Sequence, residues 1–313
     1  MHGISATLLP YTAEARIDWP SFERHIARTQ AAGLDVAVNM DTGFGDLLSA
    51  AERQAVLDAT RRTLGAGVTF YAGAFAGDGA DVVGGYHAAM AAIEARGGVP
   101  VIVQHRGMHG LPAAEKAALY ARIADGAARA LAFELGPVFA PHGEIWDDET
   151  FARLLDLPRL AGAKHSSLDR GIELRRLTAR DRQRPEFRIY TGNDLAIDMA
   201  AYGSDYLLGL STFAPAAFAA RDRALTAGEL AFLSLNDALQ HLGNVGFRAP
   251  VPAYKHSAAI FLQLTRCLAF DGIHPRAPRR PASDRVLLFD CAVRLGAIDD
   301  VERVFAELVR PYE

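Results

Sequence analysis

Residues 160–211 read LAGAKHSSLDRGIELRRLTARDRQRPEFRIYTGNDLAIDMAAYGSDYLLGLS. Three short apolar runs stand out: 160–165 (LAGAKH), 187–191 (FRIYT) and 206–211 (YLLGLS). Segments of helical period, 169–180 and 194–202, separate them. Short apolar runs alternating with amphipathic helices build βα units on a parallel sheet. The same alternation extends back to the start of the chain. Strands are expected at 3–9 (GISATLL), 35–40 (DVAVNM), 68–74 (VTFYAGA), 100–104 (PVIVQ) and 129–135 (RALAFEL). Helices are expected to open at Pro20-Ser21 and, with a capping-box pattern, at Ser49-Ala-Ala-Glu52. Further helices fall at 80–96, 112–128 and 147–156. Eight strands, each followed by a helix, predict an α/β fold, a closed (β/α)8 TIM barrel. An open doubly wound sheet would place a glycine-rich phosphate loop after its first strand, and Leu8-Leu9-Pro10-Tyr11 is not one.

Beyond residue 215 the strand signal stops. Segments 216–245, 251–270 and 284–310 read as helices, broken at Gly243, at Pro250 to Pro252 and over Pro275–Pro281. The expected division is a barrel over 1–215 and a helical C-terminal extension over 216–313.

Composition removes several classes of function. Of 313 residues, 50% are hydrophobic and 22% charged, which suits a globular protein and not a disordered, collagen-like or coiled-coil chain. The balance of 33 basic and 37 acidic residues gives a net charge of −4, so no field draws in nucleic acid or an anionic membrane surface. The arginines at 276, 279 and 280 read as a solvated loop. No unbroken run of about 18 apolar residues marks a membrane span. Met1-His2-Gly3 does not read as the start of a signal peptide, and a reducing cytoplasm is the expected compartment. The two cysteines, Cys267 and Cys291, read as buried apolar residues.

A TIM barrel carries its chemistry at the C-terminal ends of its strands. Those ends hold Asp41-Thr42-Gly43, Gln104-His105-Arg106, Glu134, Lys164-His165-Ser166, Asn193-Asp194 and Ser211-Thr212. Lys164 lies in an apolar strand of small residues. Burial there lowers an amine's pKa, and a neutral amine is a nucleophile toward carbonyl carbon. The bland reading is a strand-end lysine whose long stem reaches solvent.

At these residues the chain resembles the dihydrodipicolinate synthase / N-acetylneuraminate lyase superfamily of Schiff-base aldolases and lyases. The resemblance runs from ATLLPYTAEARIDWPSFERHI through DTGFGDLLSAAERQAVL and LPRLAGAKHSSLD to YTGNDLAIDMAAYGSDYLLGLSTFAP and PVPAYKHSAAIFL. It implies a (β/α)8 barrel with C-terminal helices, a homo-oligomer (tetramer or dimer), and Lys164 as the Schiff-base lysine. The implied partner is a small oxo compound. No metal or organic cofactor is implied, because the iminium serves as the electron sink.

The resemblance also exposes departures. The family's threonine pair in Gly-Thr-Thr-Gly-Glu, which binds the carboxylate of pyruvate, corresponds here to Met40-Asp41-Thr42-Gly43-Phe44. Thr42 and Gly43 remain, but Asp41 places a carboxyl where a substrate carboxylate would sit. Either Asp41 turns away, or it is protonated, or the substrate is not a simple 2-oxo acid; alternatively Asp41 caps the following turn. The family's proton-relay tyrosine aligns with Phe133, which cannot exchange a proton. Its arginine-containing loop becomes Gly136-Pro137-Val138-Phe139-Ala140-Pro141. For proton transfer His105 is the first choice, ahead of His109 and His165, because its strand end overlooks the pocket. Tyr190 is expected to point inward, Glu134 to face outward, and Gly209 to let a ligand approach the backbone. Gly192-Asn193-Asp194 reads as a pocket mouth or helix cap, and Lys255 as structural or interfacial. The expected site is therefore Lys164 and His105 for catalysis, with Asp41, Thr42, Gly43, Phe133, Tyr190 and Gly209 around the substrate. Two other functions remain open: a non-catalytic binding barrel without its proton relay, and a metal-dependent enzyme using His105, His109, His142 and Glu144.

Overall fold

A computed structural model describes residues 1–77 and 79–309. Eight parallel strands close in sequential order: β1 (Gly3–Ala6), β2 (Asp35–Val38), β3 (Phe70–Ala74), β4 (Gly98–Val103), β5 (Ala130–Glu134), β6 (Leu160–His165), β7 (Arg188–Thr191) and β8 (Asp205–Leu208), with β8 pairing back onto β1. The expected barrel is present, and each strand falls within two residues of its predicted start. The strand ends differ more. The first and last predicted strands run on too far because Leu8, Leu9 and Leu210 are apolar and buried without joining a strand pair.

Outer helices follow the strands: α1 (Trp19–Ala31), α2 (Ala50–Leu64), α3 (Val82–Glu94), α4 (Ala113–Ala124), α5 (Asp148–Leu155), α6 (Arg170–Gln183) and α7 (Pro215–Ala227). Their starts are written locally. The Ser49 hydroxyl accepts from the Glu52 amide at 3.2 Å while the Glu52 carboxylate accepts from the Ser49 amide at 2.8 Å, completing the predicted capping box. Asp18, Asp81, Asp147 and Asp169 cap α1, α3, α5 and α6 in the same sense. The helix expected at 194–202 is instead a short 3-10 turn over Ile197–Tyr202.

Alternation along the strands separates two cores. Val99, Val101 and Val103 on β4 and Leu131 and Phe133 on β5 fill the barrel interior. Ile102, Ala130 and Ala132 face the helices.

Four more helices complete the fold: α8 (Ala231–Gly246), α9 (Tyr254–Leu264), α10 (Asp284–Arg294) and α11 (Val301–Val309). The predicted segment 216–245 is split at Gly228 (φ 68°) and 284–310 at Gly296 (φ 61°), where the left-handed backbone suits glycine. Residue 310 lies outside the described residues. The expected boundary at 215/216 falls at the start of α7, which packs against both α1 and α8. Arg280, expected in a solvated loop, is buried. Its guanidinium donates to the carbonyls of Gly246 (2.9 Å) and Arg248 (2.7 Å) and to the Ser257 hydroxyl (3.0 Å), tying α8 to α9. Among the described residues no helix is long and apolar enough to cross a membrane.

Candidate active site

Lys164 occupies the inward face of β6, one residue before its end. The register sets it between Phe133 on β5 and Tyr190 on β7. Its stem passes over Gly192, where a Cβ would lie 2.7 Å from the Lys164 Cε and 2.9 Å from the His165 carbonyl. Only glycine leaves that path open. The Nζ ends 4.2 Å from the centre of the Phe133 ring. No described residue gives it a hydrogen bond or an ion pair. Burial holds the amine below its ordinary pKa, with the charges of Asp194 and Asp41 acting the other way.

Asp194 is the second titratable group of the pocket. Its Oδ1 accepts from the Leu210 amide at 2.7 Å, and the side chain is buried. Burial pushes its carboxyl up to about 7; the charge of Asp41 adds to this, while the Leu210 amide and Lys164 oppose it. The sequence reading gave the turn 192–194 a capping or mouth role. The structure divides the turn: Asn193 accepts from the Leu195 amide (3.1 Å), whereas Asp194 lines the pocket of Lys164.

Asp41 neither caps the turn nor faces an empty pocket. Its Oδ2 accepts from the Tyr254 hydroxyl at 2.7 Å and its Oδ1 from the Lys255 ammonium at 2.6 Å. Tyr254 and Lys255 open α9, so the C-terminal helices complete the strand-2 corner of the site. The Thr42 hydroxyl is 2.9 Å from the Tyr254 hydroxyl. A tyrosine has one hydroxyl hydrogen and a carboxylate only accepts. Tyr254 therefore donates to Asp41, and Thr42 donates to Tyr254. Phe247 stacks on the Tyr254 ring at 4.3 Å and fixes its plane. Gly209 serves this packing, since a Cβ there would lie 3.0 Å from the Tyr254 ring and 3.1 Å from the Thr42 Oγ1.

Asp41, Thr42, Phe133, Lys164, Asp194 and Tyr254 surround an inner pocket of about 10 Å³, room for roughly one water. Asp41 and Phe133 also border an outer chamber of about 420 Å³, into which His105 faces. His105 thus lies on the approach to the inner pocket; its Nδ1 accepts from the Gly107 amide at 3.0 Å. The outer chamber and the inner pocket share Asp41, Phe133, Leu135 and Phe139 as lining.

Other expected members lie elsewhere. Tyr190 does point into the barrel, but its hydroxyl sits 3.0 Å from His2 Nδ1, at the end where the strands begin. Gly43 is buried and its amide donates to the Met40 carbonyl at 3.0 Å, so it is not offered to a ligand. His165 faces outward, as strand alternation requires. It contacts Glu134, which also faces outward, and lies 2.7 Å from the Ser167 hydroxyl. The proposed metal ligands are not assembled: His109 is exposed, and Glu144 is held by Lys116 at 2.7 Å. Among the described residues no cluster of three His, Cys, Asp or Glu side chains is arranged to hold a metal ion.

Sequence reasoning missed Tyr254, the pairing of Lys255 with Asp41 and the buried role of Asp194. One signal existed for Lys255. The tripeptide Lys255-His256-Ser257 repeats Lys164-His165-Ser166, and a lysine in an apolar helix needs an acidic partner.

The comparisons with known proteins agree with this architecture. No curated protein sequence matches the chain. Among solved structures it is similar to dihydrodipicolinate synthase of Thermotoga maritima, at 17% identity and TM-score 0.81, covering 95% of this chain and 99% of that one. It is similar to the dihydrodipicolinate synthase of Acinetobacter baumannii, solved with pyruvate, at 18% identity and TM-score 0.79 with the same coverage. It is also similar to YagE of E. coli K12, a prophage protein of the dihydrodipicolinic acid synthase family likewise solved with pyruvate, at 17% identity and TM-score 0.82, again over 95% and 99%. At these identities the likeness establishes the shared fold. A family model described as "Protein of unknown function (DUF993)" matches residues 3–308, and the chain belongs to that family, built on the barrel of the dihydrodipicolinate synthases.

Proposed function

We propose that the protein is a Schiff-base-forming lyase or aldolase that acts on a small oxo compound through Lys164. The observation that carries this reading is a single amine, buried at the catalytic end of a closed barrel, with no carboxylate bonded to it and its pKa held down by desolvation. The lone pair of Nζ attacks the carbonyl carbon. The carbonyl oxygen takes up protons and leaves as water, and a C=N bond remains. The iminium then accepts the electron pair of a neighbouring carbon–carbon bond as that bond breaks. In the other direction, it loses an adjacent proton and the enamine adds to an aldehyde.

Each direction needs a proton carrier near neutrality. Asp194, with a carboxyl pushed up to about 7, suits that role from within the pocket. His105 borders the outer chamber and serves protons there. Phe133 fills the place of the family's relay tyrosine and supplies the face of a ring to the amine instead.

The test is reductive trapping. The protein is incubated with a panel of small 2-oxo acids, hydroxy-ketones and aldehydes, reduced with borohydride and analysed by peptide mass spectrometry. A secondary amine on Lys164, absent in Lys164→Arg, is the expected result. Absence of any Lys164 adduct across the panel overturns the reading.

A further inference from the structure

The inner pocket holds three hydroxyls, and each has already committed its hydrogen. Thr42 donates to Tyr254, Tyr254 donates to Asp41 at 2.7 Å, and Ser166 donates to the Glu134 carbonyl at 2.6 Å. What they turn toward a ligand is lone pairs. Three nearby amides are committed as well: Gly192 donates to the His165 carbonyl at 2.6 Å, Leu135 to Gln104 at 3.0 Å and Gly43 to Met40 at 3.0 Å. Asp41 uses one oxygen for Tyr254 and the other for Lys255, which leaves each with further acceptor capacity. Lys255 does not turn this corner basic for a substrate. Its ammonium lies behind Asp41, 5.7 and 5.6 Å from the centres of the Phe44 and Tyr254 rings, and does not border the pocket.

A substrate carboxylate needs donors, and the side chains of Thr42, Ser166, Tyr254 and Asp41 turn lone pairs toward it, with Asp41 and Asp194 both carboxyl groups. A hydroxyl on the carbon next to the carbonyl finds what it needs. We propose that Asp41 and Thr42 select a substrate whose anchoring group is a hydroxyl, so that the oxo compound is a hydroxy-ketone or hydroxy-aldehyde and not a 2-oxo acid. The inference rests on the Schiff-base reading and names the substrate class for that same site. The positive charge of the iminium is common to both substrate classes and does not choose between them. Asp194 carries a donor hydrogen only when protonated, so the discrimination is greatest on the alkaline side of neutrality.

Hydroxyacetone and pyruvate form a matched pair. They share the methyl ketone and differ in a hydroxymethyl group against a carboxylate. Each is incubated with the full-length protein at pH 8 and reduced with borohydride, and the rate of adduct formation on Lys164 is read by mass spectrometry. Borohydride delivers hydride to the iminium carbon and fixes the C–N bond as a secondary amine. Hydroxyacetone is expected to trap at least tenfold faster than pyruvate. A smaller ratio, or faster trapping of pyruvate, overturns the proposal while leaving the Schiff base in place. No Lys164 adduct from either compound overturns both. Asp41→Asn, checked for native circular dichroism, removes the charge and is expected to narrow the ratio at least threefold. An unchanged ratio in the folded variant shows that Asp41 does not discriminate and also overturns the proposal. Should Asp41→Asn not fold, the wild-type ratio decides alone.

Discussion

Lys164 and Asp194 are perturbed in opposite senses by the same cause, and their effects on stability oppose each other. The carboxyl of Asp194 titrates near 7 in the folded chain against an ordinary value of 3.8. Between about pH 4 and pH 7 the native state therefore binds more protons than the unfolded state, and stability falls as pH rises through that window. Lys164 has a native pKa below 10.5, so the native state binds fewer protons and stability rises with pH toward the unfolded value. Asp194→Asn keeps an acceptor for the Leu210 amide. It is expected to flatten the pH 4–7 slope in urea melts and to slow Lys164 trapping at pH 7. An unaltered slope would show that Asp194 is ionised throughout that range. Lys164 was legible in the sequence because a lysine among Leu160, Ala161, Gly162 and Ala163 breaks a local apolar pattern. Asp194 was not, because an aspartate after Gly192-Asn193 is ordinary turn chemistry. Its setting is tertiary: the Leu210 amide beyond β8 holds its side chain at 2.7 Å, and Gln240 of α8 donates to its backbone carbonyl at 3.3 Å.

At the level of elements, α9 shows where sequence reading reaches its end. Its helical nature was legible, as were the β6 strand and the capping box of α2, because each depends on residues within one turn or one pleat. That its first two residues bond Asp41, more than two hundred positions earlier, is a tertiary fact with no local pattern. Ten of the eleven residues of α9 are buried, so the helix is locked between the barrel and its neighbours and holds Tyr254 and Lys255 in place. The two bonds to Asp41 differ in kind. Tyr254→Phe removes a hydrogen bond, strands the Thr42 hydroxyl, and is expected to cost about 1 kcal/mol. Lys255→Met leaves Asp41 with its charge uncompensated in a site where the two side chains are 17% and 6% exposed, and is expected to cost about 3 kcal/mol. Urea denaturation of the two variants measures the order. If Tyr254→Phe proves the more damaging, the Asp41–Lys255 ion pair is not what holds α9 onto the barrel.

Across the whole molecule, the sequence composition separates a strand-bearing part from a helical part, but the energetics do not. One continuous core includes Leu8 and Val36 from the barrel, Phe218 from α7, Leu239 from α8, Phe261 from α9 and Leu288 from α10. Polar links cross the same boundary: the Tyr11 amide donates to the Gly272 carbonyl at 3.2 Å, and Arg276 donates to the Leu47 carbonyl at 2.8 Å. Composition reports which elements form, whereas cooperativity depends on which surfaces they share. A core shared in this way has no internal plane along which half can melt. The barrel and the C-terminal helices are therefore expected to unfold in one transition, with calorimetric and van't Hoff enthalpies equal. Lys164 trapping should disappear at the same midpoint, because the site loses Asp41's partners when α9 leaves. Two resolved transitions, with trapping surviving the first, would mean that the barrel is an independent domain and that the corner built by Tyr254 and Lys255 is dispensable for the chemistry.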